Sequence, residues 1–259
     1  MSGVAKSLAA RASFYDSRLE RQLEDFVAGN PRIERAWQTV ERFAPRQPTR
    51  ILEVGCGIGG ISWRLSRRWP QADVVGLDVS HELLRTATAL FASPRLVFAD
   101  GQLLPGRLVG QFDLVVLMDV YEHIAQGERE QLHGALAEVL GEGTRIVLSA
   151  PTPRHLDWLR ANHPEEVQPV DENISVDALL VFAAETATEL CYYREINVWH
   201  ERDYLHAVLS RQRGFAPADP DTASFRARAR RRWSRPSSVA GTRKERAALV
   251  RERLGRQFD

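Results

Sequence analysis

Apolar residues recur at intervals of three, four or seven positions over 11–43, at Leu19, Leu23, Phe26, Ile33, Trp37, Val40 and Phe43, which is the spacing of one helical face. The break at Gly29, Asn30 and Pro31 divides this run into two helices, and the prolines at 45 and 48 close the second. From residue 50 the period shortens. Strands are predicted over 50–54, 73–77, 96–99, 112–118 and 144–149, and helices over 59–69, 81–92 and 128–140. Alternation at this spacing predicts an α/β fold with a parallel, doubly wound sheet. A linking segment over 151–173, rich in proline, histidine and acid, leads to a helix over 176–190 and to β-like runs over 192–199 and 203–209. No crossover helix separates those two runs, so they are expected to pair antiparallel. The chain therefore divides into a helical cap (1–48), a core (49–210) with an insertion at 151–173, and a basic extension (211–259).

Composition changes this picture little. With 44% hydrophobic and 27% charged residues it is that of an ordinary globular protein. No apolar run approaches the roughly 18 residues of a membrane span, and the first residues lack a signal peptide's apolar stretch, so a cytoplasmic location is expected. Cys56 and Cys191 have no paired ligand spacing and are expected to be reduced. Charge is uneven: residues 211–259 carry a net +9 and residues 1–210 a net −8. Arg226, Arg228, Arg230, Arg231, Arg232 and Arg235 make that extension a possible surface for nucleic acid or another polyanion, although a solvated extension is the favoured reading.

The loop after the first strand reads Glu53-Val54-Gly55-Cys56-Gly57-Ile58-Gly59-Gly60. Gly55, Gly57 and Gly60 fit G-x-G-x-x-G, a pattern that lets backbone turn sharply and approach a ligand, and that suits NAD as well as S-adenosyl-L-methionine (SAM). Glu53 separates the two, because a carboxylate there would repel a pyrophosphate but suits the cationic amino acid end of SAM. Asp78 ends the second strand, where such folds place an acid for the ribose hydroxyls. Asp100 ends the third, placed to accept from an adenine amine.

Residues 50–150 resemble class I SAM-dependent methyltransferases at Leu52-Glu53-Val54-Gly55-Cys56-Gly57, Gly76-Leu77-Asp78-Val79-Ser80, Ala99-Asp100-Gly101 and Phe112-Asp113-Leu114-Val115-Val116. The resemblance implies a Rossmann-like sheet of seven strands, one of them antiparallel. It assigns Glu53, Gly55, Cys56 and Gly57 to the methionine part of the cofactor, Asp78 and Val79 to the ribose, and Asp100 and Gly101 to the adenine, with Met118 alongside. The implied activity is O-methylation of a small molecule or sugar; the alternatives are an RNA or protein methyltransferase, or a SAM-binding subunit without turnover.

Methyl transfer from a sulfonium requires alignment and, for a hydroxyl acceptor, a base. The stretch Met118-Asp119-Val120-Tyr121-Glu122-His123, just after the fourth strand, resembles the Asp/Glu-x-x-Glu-His stretch of ubiquinone-type O-methyltransferases. Three readings remain open: His123 as general base beside Asp119; Asp119, Glu122 and His123 as ligands of a divalent metal; or capping of the next helix. His155 and His163 in the 151–173 segment are further candidates for the base, and this segment is the expected acceptor side. His200 and His206 are expected to be structural.

Overall fold

The computed structural model describes residues 12–212 and 238–258. The helical cap is present as α1 (Leu19–Ala28) and α2 (Pro31–Phe43). Asn30 starts α2 by accepting the Arg32 amide at 3.0 Å, with Pro31 in the first turn, where its missing N–H costs nothing. The core follows as β1 (Arg50–Val54), α3 (Gly60–Arg68), β2 (Asp73–Asp78), α4 (His81–Phe91), β3 (Leu96–Asp100), β4 (Phe112–Met118), α5 (Gln126–Val139), β5 (Leu140–Pro151), α6 (Pro153–Asn162), α7 (Val176–Glu185), β6 (Glu189–Ile196) and β7 (Tyr204–Ser210), and α8 (Arg243–Leu254) closes the described chain.

The strands form one sheet in the order β3-β2-β1-β4-β5-β7-β6, with β7 antiparallel to both neighbours. Successive residues of each central strand face opposite sides, as the pleat demands. Ile51, Leu114, Val116 and Val147 enter a core with α1 to α4 and Val250 of α8. Leu52, Val115, Leu117, Ile146 and Leu148 enter a second core with α5 and α7. The cap helices thus share a core with the sheet. Strand order reverses between β1 and β4, and the crevice at the carboxyl ends of these strands is where such sheets bind ligands.

Strand β6 begins and ends three residues earlier than expected, and three further differences have a local reason. Strand β5 begins at Leu140 because Thr144 donates its hydroxyl to the Phe112 carbonyl at 2.6 Å and accepts the Gly141 amide at 2.9 Å, carrying pairing through the glycines. Helix α7 stops at Glu185 because Thr186 turns its hydroxyl onto the Phe182 carbonyl at 2.7 Å. The 151–173 segment contains a helix, α6, nucleated by Thr152 accepting the His155 amide with Pro153 next, a cap signal present in the sequence. Among the described residues no helix is long and apolar enough to cross a membrane. Arg226 to Arg235 lie outside the described residues, and so does any test of a nucleic-acid surface there.

Candidate functional site

A cavity of about 300 Å³ opens at the switch point. Of the residues assigned to the cofactor, Glu53, Gly55, Cys56, Gly57, Asp78, Val79, Gly101 and Met118 line it, and Asp100 does not. The Asp100 carboxylate is 66% exposed and stands 3.8 Å from His81. Gln102, Leu103 and Leu104 line the wall just beyond it.

The glycine loop is shaped by backbone that side chains would block. Gly55 has φ +72° and Gly57 φ +53°; a Cβ on Gly55 would come 2.3 Å from Val120 Cγ2, and one on Gly57 2.5 Å from Gln22 Oε1. Asp78 accepts the Gly57 amide at 2.7 Å and the Ser80 amide at 2.9 Å, so the carboxylate that faces the crevice also sets the loop. Glu53 is buried and accepts the Ser62 hydroxyl. Burial raises its carboxyl to about 8, against the opposing Ser62 bonds and with a further rise from Asp78. Cys56 is buried and its thiol is pushed up by desolvation, which leaves it inert as a nucleophile.

The described N-terminal residues close the crevice from above. Asp16 accepts the Ser80 hydroxyl at 2.5 Å, and Gln22 accepts the Ile58 amide at 3.3 Å. Tyr15, Gln22 and Arg32 line the cavity with Gln168 from the segment after α6. None of these four was singled out from sequence. Tyr15, Gln22 and Arg32 come from the helical run whose periodicity spoke only of packing, and Gln168 from the segment expected on the acceptor side.

Beyond β4 the chain turns sharply, with Asp119 at φ +56°, a conformation rare for a residue with a Cβ. Tyr121 anchors the turn from below, buried against Phe182 and bonded to His133 Nε2 at 2.9 Å. Asp119 accepts the Ser149 hydroxyl at 2.8 Å and pairs with Arg32 Nε at 2.8 Å. His123 directs Nδ1 at the Val170 carbonyl, 2.9 Å away, with Asp171 Oδ1 at 2.9 Å from the same nitrogen. Glu122 is 1% exposed, has no hydrogen-bond donor within reach, and lies 3.8 Å from His123 Nε2.

Burial by itself would lower the His123 pKa, but Glu122, Asp171 and the Val170 carbonyl outweigh it and raise the imidazole to about 9. Burial likewise pushes the Glu122 carboxyl up to about 8. Glu122 and His123 therefore titrate together, the negative charge of one favouring the positive charge of the other, with Asp171 as a further ion-pair partner of the ring.

Surroundings that favour the imidazolium weigh against the general-base expectation for His123. The metal reading also fails on geometry: the oxygens of Asp119 are committed to Ser149 and Arg32, and the donor atoms of Asp119, Glu122 and His123 do not converge. Among the described residues the donors that meet within 4.8 Å are those of His163, Glu165 and Glu166, at the surface. His155 and His163 do not line the cavity; both pack around Trp158, 6.1 and 5.0 Å from its ring, and the His155 ring nitrogen contacts the Asp203 carbonyl at 3.2 Å. His206 is buried against Thr39, 2.7 Å away.

An α/β sheet with this strand order, a glycine loop preceded by a buried acid, and an acid at the end of β2 define a SAM-binding methyltransferase domain. The chain belongs to the class I SAM-dependent methyltransferases, and residues 51–143 match the family described as Methyltransferase domain. It is 30% identical over 210 residues to trans-aconitate 2-methyltransferase of Afipia carboxidovorans, covering 75% of this chain and 71% of that one. It is 29% identical over 174 residues to a probable chloroplastic tocopherol O-methyltransferase of Oryza sativa, covering 64% of this chain and 44% of the length of that relative. Among solved structures, the N-methyltransferase NodS of Bradyrhizobium japonicum, in complex with S-adenosyl-L-homocysteine (SAH), superposes with a TM-score of 0.60 at 16% identity, over 76% of this chain and 97% of that one.

The residues present fit SAM. Backbone at Gly55 and Gly57 lines the cavity in a conformation that a side chain would block, Glu53 offers a buried acid for an ammonium, and Asp78 offers a carboxylate at the crevice.

Proposed function

We propose that this chain methylates an oxygen of a small molecule and that the acceptor is a carboxylic acid. Bound SAM supplies a methyl group activated on a sulfonium. Glu53, the Gly55 and Gly57 backbone and Asp78 hold the cofactor in this reading, with Gly101 and Gln102 beside the adenine. The acceptor enters against Tyr15, Arg32, His123 and Gln168.

One observation carries the choice of acid: His123 is the one imidazole lining the cavity among the described residues, and its surroundings keep it cationic. A phenol or sugar hydroxyl needs its proton removed, which an imidazolium does not do. A carboxylate is already ionised at neutral pH and is attracted to that cation. Transfer then forms one C–O bond and breaks one C–S bond, with no proton to move, and the Arg32 guanidinium, paired with Asp119, lines the same wall. The Afipia relative, whose named acceptor is the polycarboxylate trans-aconitate, supports the same acceptor class.

The test is turnover of SAM with a panel of small di- and tricarboxylic acids, phenols and free sugars, read by mass spectrometry. Base-labile methyl esters from the acids are expected, and His123→Gln is expected to raise the KM for an acid by about tenfold to a hundredfold, the worth of a charged hydrogen bond. Turnover of phenols or sugars with none of any acid would overturn the reading.

A further inference from the structure

We propose that Asp171 is the positioning residue of the acceptor cavity, its single carboxylate fixing both the His123 ring on one wall and the Gln168 backbone on another. The inference rests on the acceptor reading above only for its consequence in binding, since the geometry stands by itself. Asp171 Oδ1 lies 2.9 Å from His123 Nδ1, an ion pair beside the hydrogen bond that this nitrogen makes to the Val170 carbonyl at 2.9 Å, and Oδ2 accepts the Gln168 amide at 2.8 Å. Its side chain is 7% exposed and that of His123 11%, so the pair works in a poorly solvated place where a charge is felt strongly. His123 and Gln168 both line the cavity, and they come from segments more than forty residues apart in the chain.

The neighbouring acids are placed differently. Asp119, at the end of β4, is committed to Arg32 of α2 and to Ser149 of β5. Glu122, on the same turn as His123, adds its charge to the ring's surroundings from 3.8 Å, at Nε2, whereas Asp171 stands at contact distance from Nδ1 and also reaches the Gln168 backbone. Tyr15 meets the ring only by its edge, 6.3 Å between centroids.

The segment carrying Asp171 has separate anchors. The Glu172 amide donates to the Glu122 carbonyl at 2.9 Å, Glu172 Oε1 accepts the Gln126 amide at 3.0 Å, and Glu172 Oε2 pairs with Arg129 at 3.0 Å. Arg160 donates to the Asp171 carbonyl and, at 3.0 Å, to Asn173. Changing the Asp171 carboxylate therefore alters the wall of the cavity and leaves the segment tied down.

The experiment follows the His123 ring nitrogens by NMR against pH in the SAH-loaded protein, wild type and Asp171→Asn, and measures the Kd of malonate, a small dicarboxylate probe, by calorimetry at pH 6 and pH 8. In the variant the His123 pKa is expected to fall by about one to three units, the effect of removing an opposite charge at contact. Malonate binding is expected to weaken at pH 8 by about twofold for a fall of one unit and about tenfold for a fall of two, and by less at pH 6, where more of the imidazole stays protonated, and SAH affinity is expected to stay within about twofold. Asp171→Glu is expected to restore the titration, and Glu172→Gln, which loosens the segment without touching the ring, to leave it unchanged. A wild-type His123 titrating near the ordinary 6.5, or an Asp171→Asn titration that matches wild type, overturns the proposal, and the first needs no variant to fold. A shifted titration with no malonate binding to either protein supports the positioning role and counts against the acceptor reading alone.

Discussion

Glu53 sits on the wall of the cavity with its carboxyl pushed up to about 8 by burial, and the amino end of SAM or SAH is a cation below about pH 7.7. An ion pair between them forms only when Glu53 has lost its proton, so cofactor binding and deprotonation are linked. In the free protein the ionised fraction of a group at about 8 rises from about 1% at pH 6 to about 9% at pH 7. The Kd for SAH is therefore expected to fall about ninefold over that unit, in a window where the ligand's own amine stays protonated. Calorimetry at pH 6.5 in buffers of different ionisation enthalpy should register the release of close to one proton per SAH bound. Glu53→Gln removes both signatures: its Kd should be flat between pH 6 and 7 and weaker than that of wild type at pH 7. A wild-type Kd that does not move with pH, or the same slope in Glu53→Gln, would refute the pairing of this acid with the amino group.

Gly55→Ala places a Cβ 2.3 Å from Val120 at φ +72°, so it is expected to cost about 1–3 kcal/mol in thermal unfolding and to abolish SAH binding; an unchanged melting temperature would show that the loop can relax. His155→Ala and His163→Ala are expected to leave kcat within about twofold of wild type, because neither ring lines the cavity, and a large loss in either with the fold intact would return that histidine to the chemistry.

Much of the fold could be read from hydrophobic period and cap chemistry. The strand over 112–118 matches β4 at both ends, Gly29-Asn30-Pro31 marks the break between α1 and α2, and the helix-free connection near 200 foretells the antiparallel β6–β7 pair. Errors at Thr152 and Thr186 passed over local signals, a cap on the His155 amide and a bond back to the Phe182 carbonyl, whereas the partner of Thr144, the Phe112 carbonyl, is set by three-dimensional approach.

The cofactor end was legible for a related reason. Glu53, Gly55, Gly57 and Asp78 belong to short strand-loop units whose local geometry is dictated by their own sequence, so position along the chain is nearly position in space. Asp100 satisfied the same local rule, yet its side chain leaves the crevice for solvent and His81. By its sequence alone the chain determined the doubly wound sheet, the glycine loop and the methyl donor. Tertiary structure decided the part of the cavity wall where Arg32 and His123 meet Asp119 and Asp171 from segments far apart in the chain. The sign of a buried histidine's charge depends on which carboxylates folding brings to contact distance, and no spacing in the sequence carries that information.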